Sequence, residues 1–153
     1  MSYLRDKFKM FMSMAVEAVA ATLRYKGILT TQEGNAAQIR SVAANSLYCI
    51  STSGDTNNSY ATTALNTSLV KVATADLTLP TRYKVTAAAN DKYIMFAGGH
   101  TSSTASSAIV DVFNNVLTKQ SAPDLYNGVA EAASANIGNY LLIAGGYRHT
   151  KNN

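Results

Sequence analysis

Two patterns of apolar and polar positions divide the chain. In residues 1–27 the apolar positions recur at helical spacing, with Leu4, Phe8, Phe11, Ala15 and Ala18 in one row and Met12, Val16, Val19 and Leu23 in the next. No Gly or Pro interrupts this stretch before Gly27. Ser2 is placed to cap its start, and Arg24 and Lys26 stand near its end. The spacing predicts a helix over 1–27 with a broad apolar face that needs a partner. Leu4, Phe8, Phe11, Met12, Val16, Val19 and Leu23 are its expected anchoring or oligomerising surface. Beyond Gly27 the pattern changes to short strands broken by Asn, Gly and Ser, with residues 28–37 read as a linker and 38–153 as a β body.

The body repeats itself. "YIMFAGG" at 93–99 and "YLLIAGG" at 140–146 share a tyrosine, an apolar run, an alanine and a glycine pair, and "LYCISTSG" at 47–54 is a worn third copy. Tyr48, Tyr93 and Tyr140 lie 45 and 47 residues apart, and Gly54, Gly99 and Gly146 keep those intervals. A small-residue strand and an Asn-containing turn precede each tyrosine, and Pro80 or Pro123 falls in each connection between copies. Ile94-Met95-Phe96-Ala97 has no polar alternation, which predicts a strand buried on both faces. Gly98, Gly99, Gly145 and Gly146 are expected to end strands where φ is positive or backbone passes closely. With Tyr93 and Tyr140 they form a structural motif. They do not have the spacing of a phosphate loop.

A period near 46 residues built from short strands points to four-stranded propeller blades. On these residues the chain resembles kelch repeats, whose blade has an apolar run ending in Gly-Gly, a loop, and then a strand with an aromatic. "AIVDVF" at 108–113 matches that later strand with Phe113. The usual tryptophan is missing, with the Leu117 region in its place, and the first copy shows Ser53-Gly54 instead of a glycine pair. The resemblance covers about residues 38–153 and implies a mainly β fold of kelch-like β-propeller blades, two plus the start of a third. A ring needs at least about four blades. The expectation is therefore an incomplete ring, either the N-terminal part of a longer protein or one completed by several chains.

Composition and charge narrow the function classes. Ala, Ser, Thr and Asn make up roughly two residues in five, a surface made soluble by amides and hydroxyls. The net charge is +4, of which residues 1–27 carry +3, from Arg5, Lys7, Lys9, Arg24 and Lys26 against Asp6 and Glu17. No basic groove with interleaved aromatics is visible in the body, so nucleic acid is not an expected partner. Asp6 and Glu17 argue against a signal peptide despite "AVA" at 18–20, and the short apolar run with Glu17 argues against a membrane span. Cys49 is the single cysteine, so neither an internal disulfide nor a Cys-based zinc site can form. In "LYCI" it reads as a small buried hydrophobe.

His100 and His149, the two histidines, each follow a glycine pair and read as exposed loop residues on one end of the repeats. With Thr101, Ser102 and Arg148 they form the candidate binding loops. The acidic residues Asp55, Asp76, Asp91, Asp111 and Asp124 are scattered, and turn chemistry accounts for most of them. No catalytic motif, metal-ligand set or cofactor signature is present, so no enzyme, metal or cofactor is expected. The expected function is a structural and binding protein of a particle, a bacteriophage tail-fibre or baseplate-associated component. Its N-terminus would attach to other virion or surface proteins, and its loops would face a host receptor or glycan. A homo-oligomer on the virion follows from that reading. A kelch adaptor or carbohydrate-binding protein at the cell surface or outside the cell is the alternative, followed by a carbohydrate-active kelch enzyme.

Overall fold

A computed structural model of the protein describes residues 14–19, 22–28, 38–54, 60–79 and 81–148, and among them there are strands and connections but no helix. The chain divides into two compact units, Met1–Ala36 and Ala37–Asn153. No helix among the described residues is long and apolar enough to cross a membrane.

The first unit corrects the helix expected over 1–27. Strands β1 (Met14–Val19) and β2 (Thr22–Ile28) pair antiparallel, with Val19 opposite Thr22 at the connection. An Ala- and Val-rich segment satisfies a period of two as readily as a period of 3.6. The β-branched Val16, Val19 and Thr22 then favour the extended form. The register sets Glu17 opposite Arg24. Of the expected anchoring residues, Val16 and Val19 lie on β1 and Leu23 on β2, while Leu4, Phe8, Phe11 and Met12 fall outside the described residues.

The second unit is a succession of antiparallel sheets. β3 (Gln38–Ala44), β4 (Tyr48–Gly54), β5 (Tyr60–Asn66) and β6 (Lys71–Val72) pair in chain order as one four-stranded sheet. β7 (Thr86–Ala89) and β8 (Tyr93–Ala97) open the next, the small hairpin β9 (His100–Ser102) and β10 (Ala105–Ser106) follows, and β11 (Val110–Asn114) and β12 (Lys119–Gln120) complete the sheet. β13 (Ala133–Ile137) and β14 (Tyr140–Ala144) form a third sheet of two strands. Among the described residues these sheets do not close into a ring.

The same side-chain devices shape each sheet. The Asn45 side-chain oxygen accepts the amides of Leu47 and Tyr48, both at 2.9 Å, and Asn90 does the same for Lys92 and Tyr93 at 3.0 and 2.9 Å. In the third copy Ile137 takes the Asn position, and Gly138 at φ +53° makes the turn. Asn66 accepts from Ser68 and Val70, and Asn114 from Val116 and Thr118. Each of these turns holds a leucine, Leu69 or Leu117, at φ near +60°. Asp76 and Asp124 each reach back 14 residues to a strand amide, of Thr62 and Val110, at 3.2 Å.

The core lies between sheets. Ile50 and Ala64 of the first sheet meet Ile94, Phe96 and Phe113 of the second, with Leu77 and Val85 from the connection. Phe96 and Phe113 pack edge to face, 6.2 Å apart. On the other face of the second sheet, Ala88, Met95 and Ala97 pack with Val110, Val112 and Leu125 against Leu141 and Ile143 of β14. Residues 94–97 are therefore buried on both faces, as their unbroken apolar run implies.

Candidate functional site

The glycine pairs end β8 and β14 in nearly the same conformation: φ is +67° and +97° at Gly98 and Gly99, and +68° and +94° at Gly145 and Gly146. A side chain at Gly98 would stand 2.2 Å from the carbonyl oxygen of Val129, in the connection leading to the third sheet. After each pair the chain bridges back to the connection before its own sheet, His100 to Tyr83 and Tyr147 to Ala130. The residue after each bridge partner, Lys84 or Glu131, has a positive φ of 55° or 57°. The amide of Glu131 donates to the carbonyl of Lys84 at 3.2 Å, so equivalent positions of successive repeats meet.

Their side chains meet as well. Lys84 Nζ donates to Glu131 Oε1 at 2.5 Å, and both side chains are about half exposed. The hydrogen bond and charge of Lys84 hold the Glu131 carboxyl below its ordinary value, and Glu131 in turn raises the Lys84 amine. His100 is buried, contrary to the expectation of an exposed loop histidine. The ring lies between Tyr83 and Tyr147, with centroids 5.2 and 6.1 Å away. Its Nδ1 is 3.2 Å from Ser106 Oγ, and its Nε2 is 3.6 Å from Glu131 Oε1. The Tyr83 hydroxyl donates to the Ser102 carbonyl at 3.1 Å. Thr101, Ser102 and Arg148 are exposed around this group, and His149 lies outside the described residues.

A buried ion pair supports the floor. The Arg82 guanidinium pairs with Asp111, while its Nη1 donates to the carbonyls of Gly98 and Ile109, each at 2.8 Å, and its Nε to that of Thr78 at 3.1 Å. Asp111 also accepts from Lys119 Nζ at 2.7 Å and from the Thr78 hydroxyl at 2.8 Å. Burial pulls the Arg82 guanidinium below its ordinary value, and the Asp111 charge opposes that shift. Asp111 is thus no turn residue; it is the counter-ion that lets Arg82 clamp the backbone beneath the first glycine pair.

Ser106, His100 and Glu131 stand in line, but not as a catalytic triad. The carboxylate is beyond hydrogen-bond distance of the imidazole, is half in water and gives its oxygen to Lys84. Among the described residues no three His, Cys, Asp or Glu side chains gather as a metal site. What the arrangement offers is an aromatic and charged surface on a rigid backbone. Reading the sequence pointed to the loops after the glycine pairs and did not single out Tyr83, Lys84, Glu131 or Tyr147. Lys84 and Glu131 each lie nine residues before a repeat tyrosine, and that shared offset is the signal that could have found them.

No family model matches the chain, and no curated protein matches it. Among solved structures, the one titled "Structure of YjhT" is similar in fold, with a TM-score of 0.50 at 16% identity. The match covers 89% of this chain and 46% of that one, so this chain spans about half the length of the structure it resembles.

Proposed function

We propose that the chain is a structural and binding protein of a particle, a bacteriophage tail-fibre or baseplate-associated component, in which kelch-like blades present one end of their sheets to a receptor or glycan. The observation that carries the binding role is the surface of Tyr83, Lys84, Glu131 and Tyr147 around buried His100. Its parts are fixed by backbone bridges and by the Arg82 clamp, so a ligand would meet a preorganised patch. Aromatic rings beside paired charges and loop hydroxyls suit a sugar, which offers both apolar faces and hydroxyls. The Ser-, Thr- and Asn-rich composition suits a particle surface.

The test has two parts. Antibody against the chain should label purified phage particles, and the wild-type chain should bind host-surface glycans on an array while Tyr147→Ala and Glu131→Ala lose that binding. Particles that carry no copy of the chain would remove the virion assignment. An array without hits, or variants that bind as wild type, would remove the loop-end site.

A further inference from the structure

The connection between the second and third sheets runs beside residues 106–108 and arches away from them at 126–128. The Leu125 amide donates to the Ala108 carbonyl at 2.8 Å, and the Val129 amide to the Ser107 carbonyl at 3.1 Å. A step of four residues on one side therefore spans a step of one on the other. Within the arch Tyr126 is fully exposed and Asn127 is half-buried.

Asn127 and Gly128 are the single Asn-Gly pair in the sequence. Asparagine is a chemically labile residue. Its amide survives best where the side chain is held and the next residue's side chain shields the backbone. The asparagines of the turns are protected in this way. The side-chain oxygens of Asn45, Asn66, Asn90 and Asn114 each accept two backbone amides, and none of the four precedes a glycine. Asn127 differs on both counts. Among the described residues its side chain makes no hydrogen bond, and the Gly128 amide donates to no acceptor. Packing also demands the glycine, because a Cβ there would stand 2.2 Å from the Ser106 carbonyl oxygen. The fold thus requires, after Asn127, the residue that leaves it most open to attack.

We propose that Asn127 is a self-modification site, at which the backbone nitrogen of Gly128 closes on the side-chain carbonyl carbon of Asn127. The new N–Cγ bond forms as the bond from Cγ to the side-chain nitrogen breaks. The Gly128 amide proton leaves with that nitrogen as ammonia, and a cyclic succinimide remains. Water then adds to one of its two carbonyls. Opening at the side-chain carbonyl gives Asp; opening at the backbone carbonyl gives isoAsp, in which the main chain runs through the former side chain. Nothing is oxidised or reduced, and water is the co-reactant.

The consequence falls on the joint between repeats. IsoAsp lengthens the main chain by one carbon directly before Gly128, which already presses on Ser106. Gly128 or Val129 must then leave its seat, and the Val129 carbonyl is the acceptor for the Gly99 amide at 2.8 Å. Glu131, two residues on, gives its oxygen to Lys84 across the same joint. Modification at Asn127 therefore loosens the third sheet on the second. The site depends on neither the particle nor the ligand assignment.

The test is storage of the folded full chain at mildly alkaline pH, followed by peptide mass analysis. In the tryptic peptide from Gln120 to Arg148, Asn127 should turn from amide to acid before Asn136 or Asn139, and isoaspartyl methyltransferase should label the product. Asn127→Gln should remain folded and abolish both signals. The isoAsp-bearing chain should melt at a lower temperature than the fresh chain. Asn127→Asp, which adds the charge without lengthening the main chain, should melt close to wild type. A stored chain that keeps its Asn127 amide, or that converts Asn136 or Asn139 first, overturns the site, as does a label that survives Asn127→Gln. An isoAsp-bearing chain that melts with the fresh one, or no lower than Asn127→Asp, overturns the loosening of the joint.

Discussion

Residues 93–99 and 140–146 are nearly one sequence in two surroundings. In the first, Ile94 and Phe96 fill the core toward the first sheet while Met95 and Ala97 fill the core toward the third. In the second, Leu141 and Ile143 pack inward, and Tyr140, Leu142 and Ala144 face out. Strand, turn and glycine conformation are the same; only the neighbour differs. Local structure here belongs to the repeat, and burial belongs to the packing of one repeat on the next.

The sharpest way to break that comparison is to hollow out the side that has both neighbours. Phe96→Ala should cost about 3–5 kcal/mol in urea unfolding, since Phe96 is fully buried against Phe113. Equal sensitivity at exposed Leu142 would erase the distinction. Asp111→Ala should cost a similar amount, about 3–5 kcal/mol, because it strands the Arg82 charge in the core. That loss should appear as a lower unfolding midpoint, and Asp111→Asn should recover part of it.

How much of this could be read from the chain differs between its parts. The double burial of residues 94–97 was legible because a run without polar alternation has no solvent face to offer. The Asn turns and glycine pairs were legible because the backbone they make admits few other residues. The N-terminal strands were not, because helical and extended periods overlap where Ala and Val dominate. The Arg82–Asp111 pair was also hidden, since the partners are 29 residues apart and neither falls in a charge pattern. His100 looked like a loop residue, but the Tyr83 bridge and the flanking rings hold it in a buried position. Lys84 and Glu131 share a position but have opposite charges, so no identity between copies pointed to them.

The glycines give a smaller but cleaner contrast. Gly145→Ala should cost only the strain of a positive φ, about 1–2 kcal/mol. Gly98→Ala adds a collision with the Val129 carbonyl and should cost clearly more on thermal unfolding. Equal losses would mean that the close approach between repeats contributes nothing. The smallest effect belongs to the exposed Lys84–Glu131 pair. Its depressed carboxyl makes a contribution that is present above the unfolded carboxylate value and lost as pH falls through the folded one. Wild type and Glu131→Gln should therefore converge in stability in acid, and salt should shrink the gap at neutral pH.

The central claim is that Met95 and Leu142 hold equivalent positions in the repeat, the first packed against the next sheet and the second exposed. The direct measurement is the thermal midpoint of wild type, Met95→Ala and Leu142→Ala under identical conditions. The account predicts that Met95→Ala lowers the midpoint clearly while Leu142→Ala leaves it near that of wild type. Equal losses at the two positions would contradict the account.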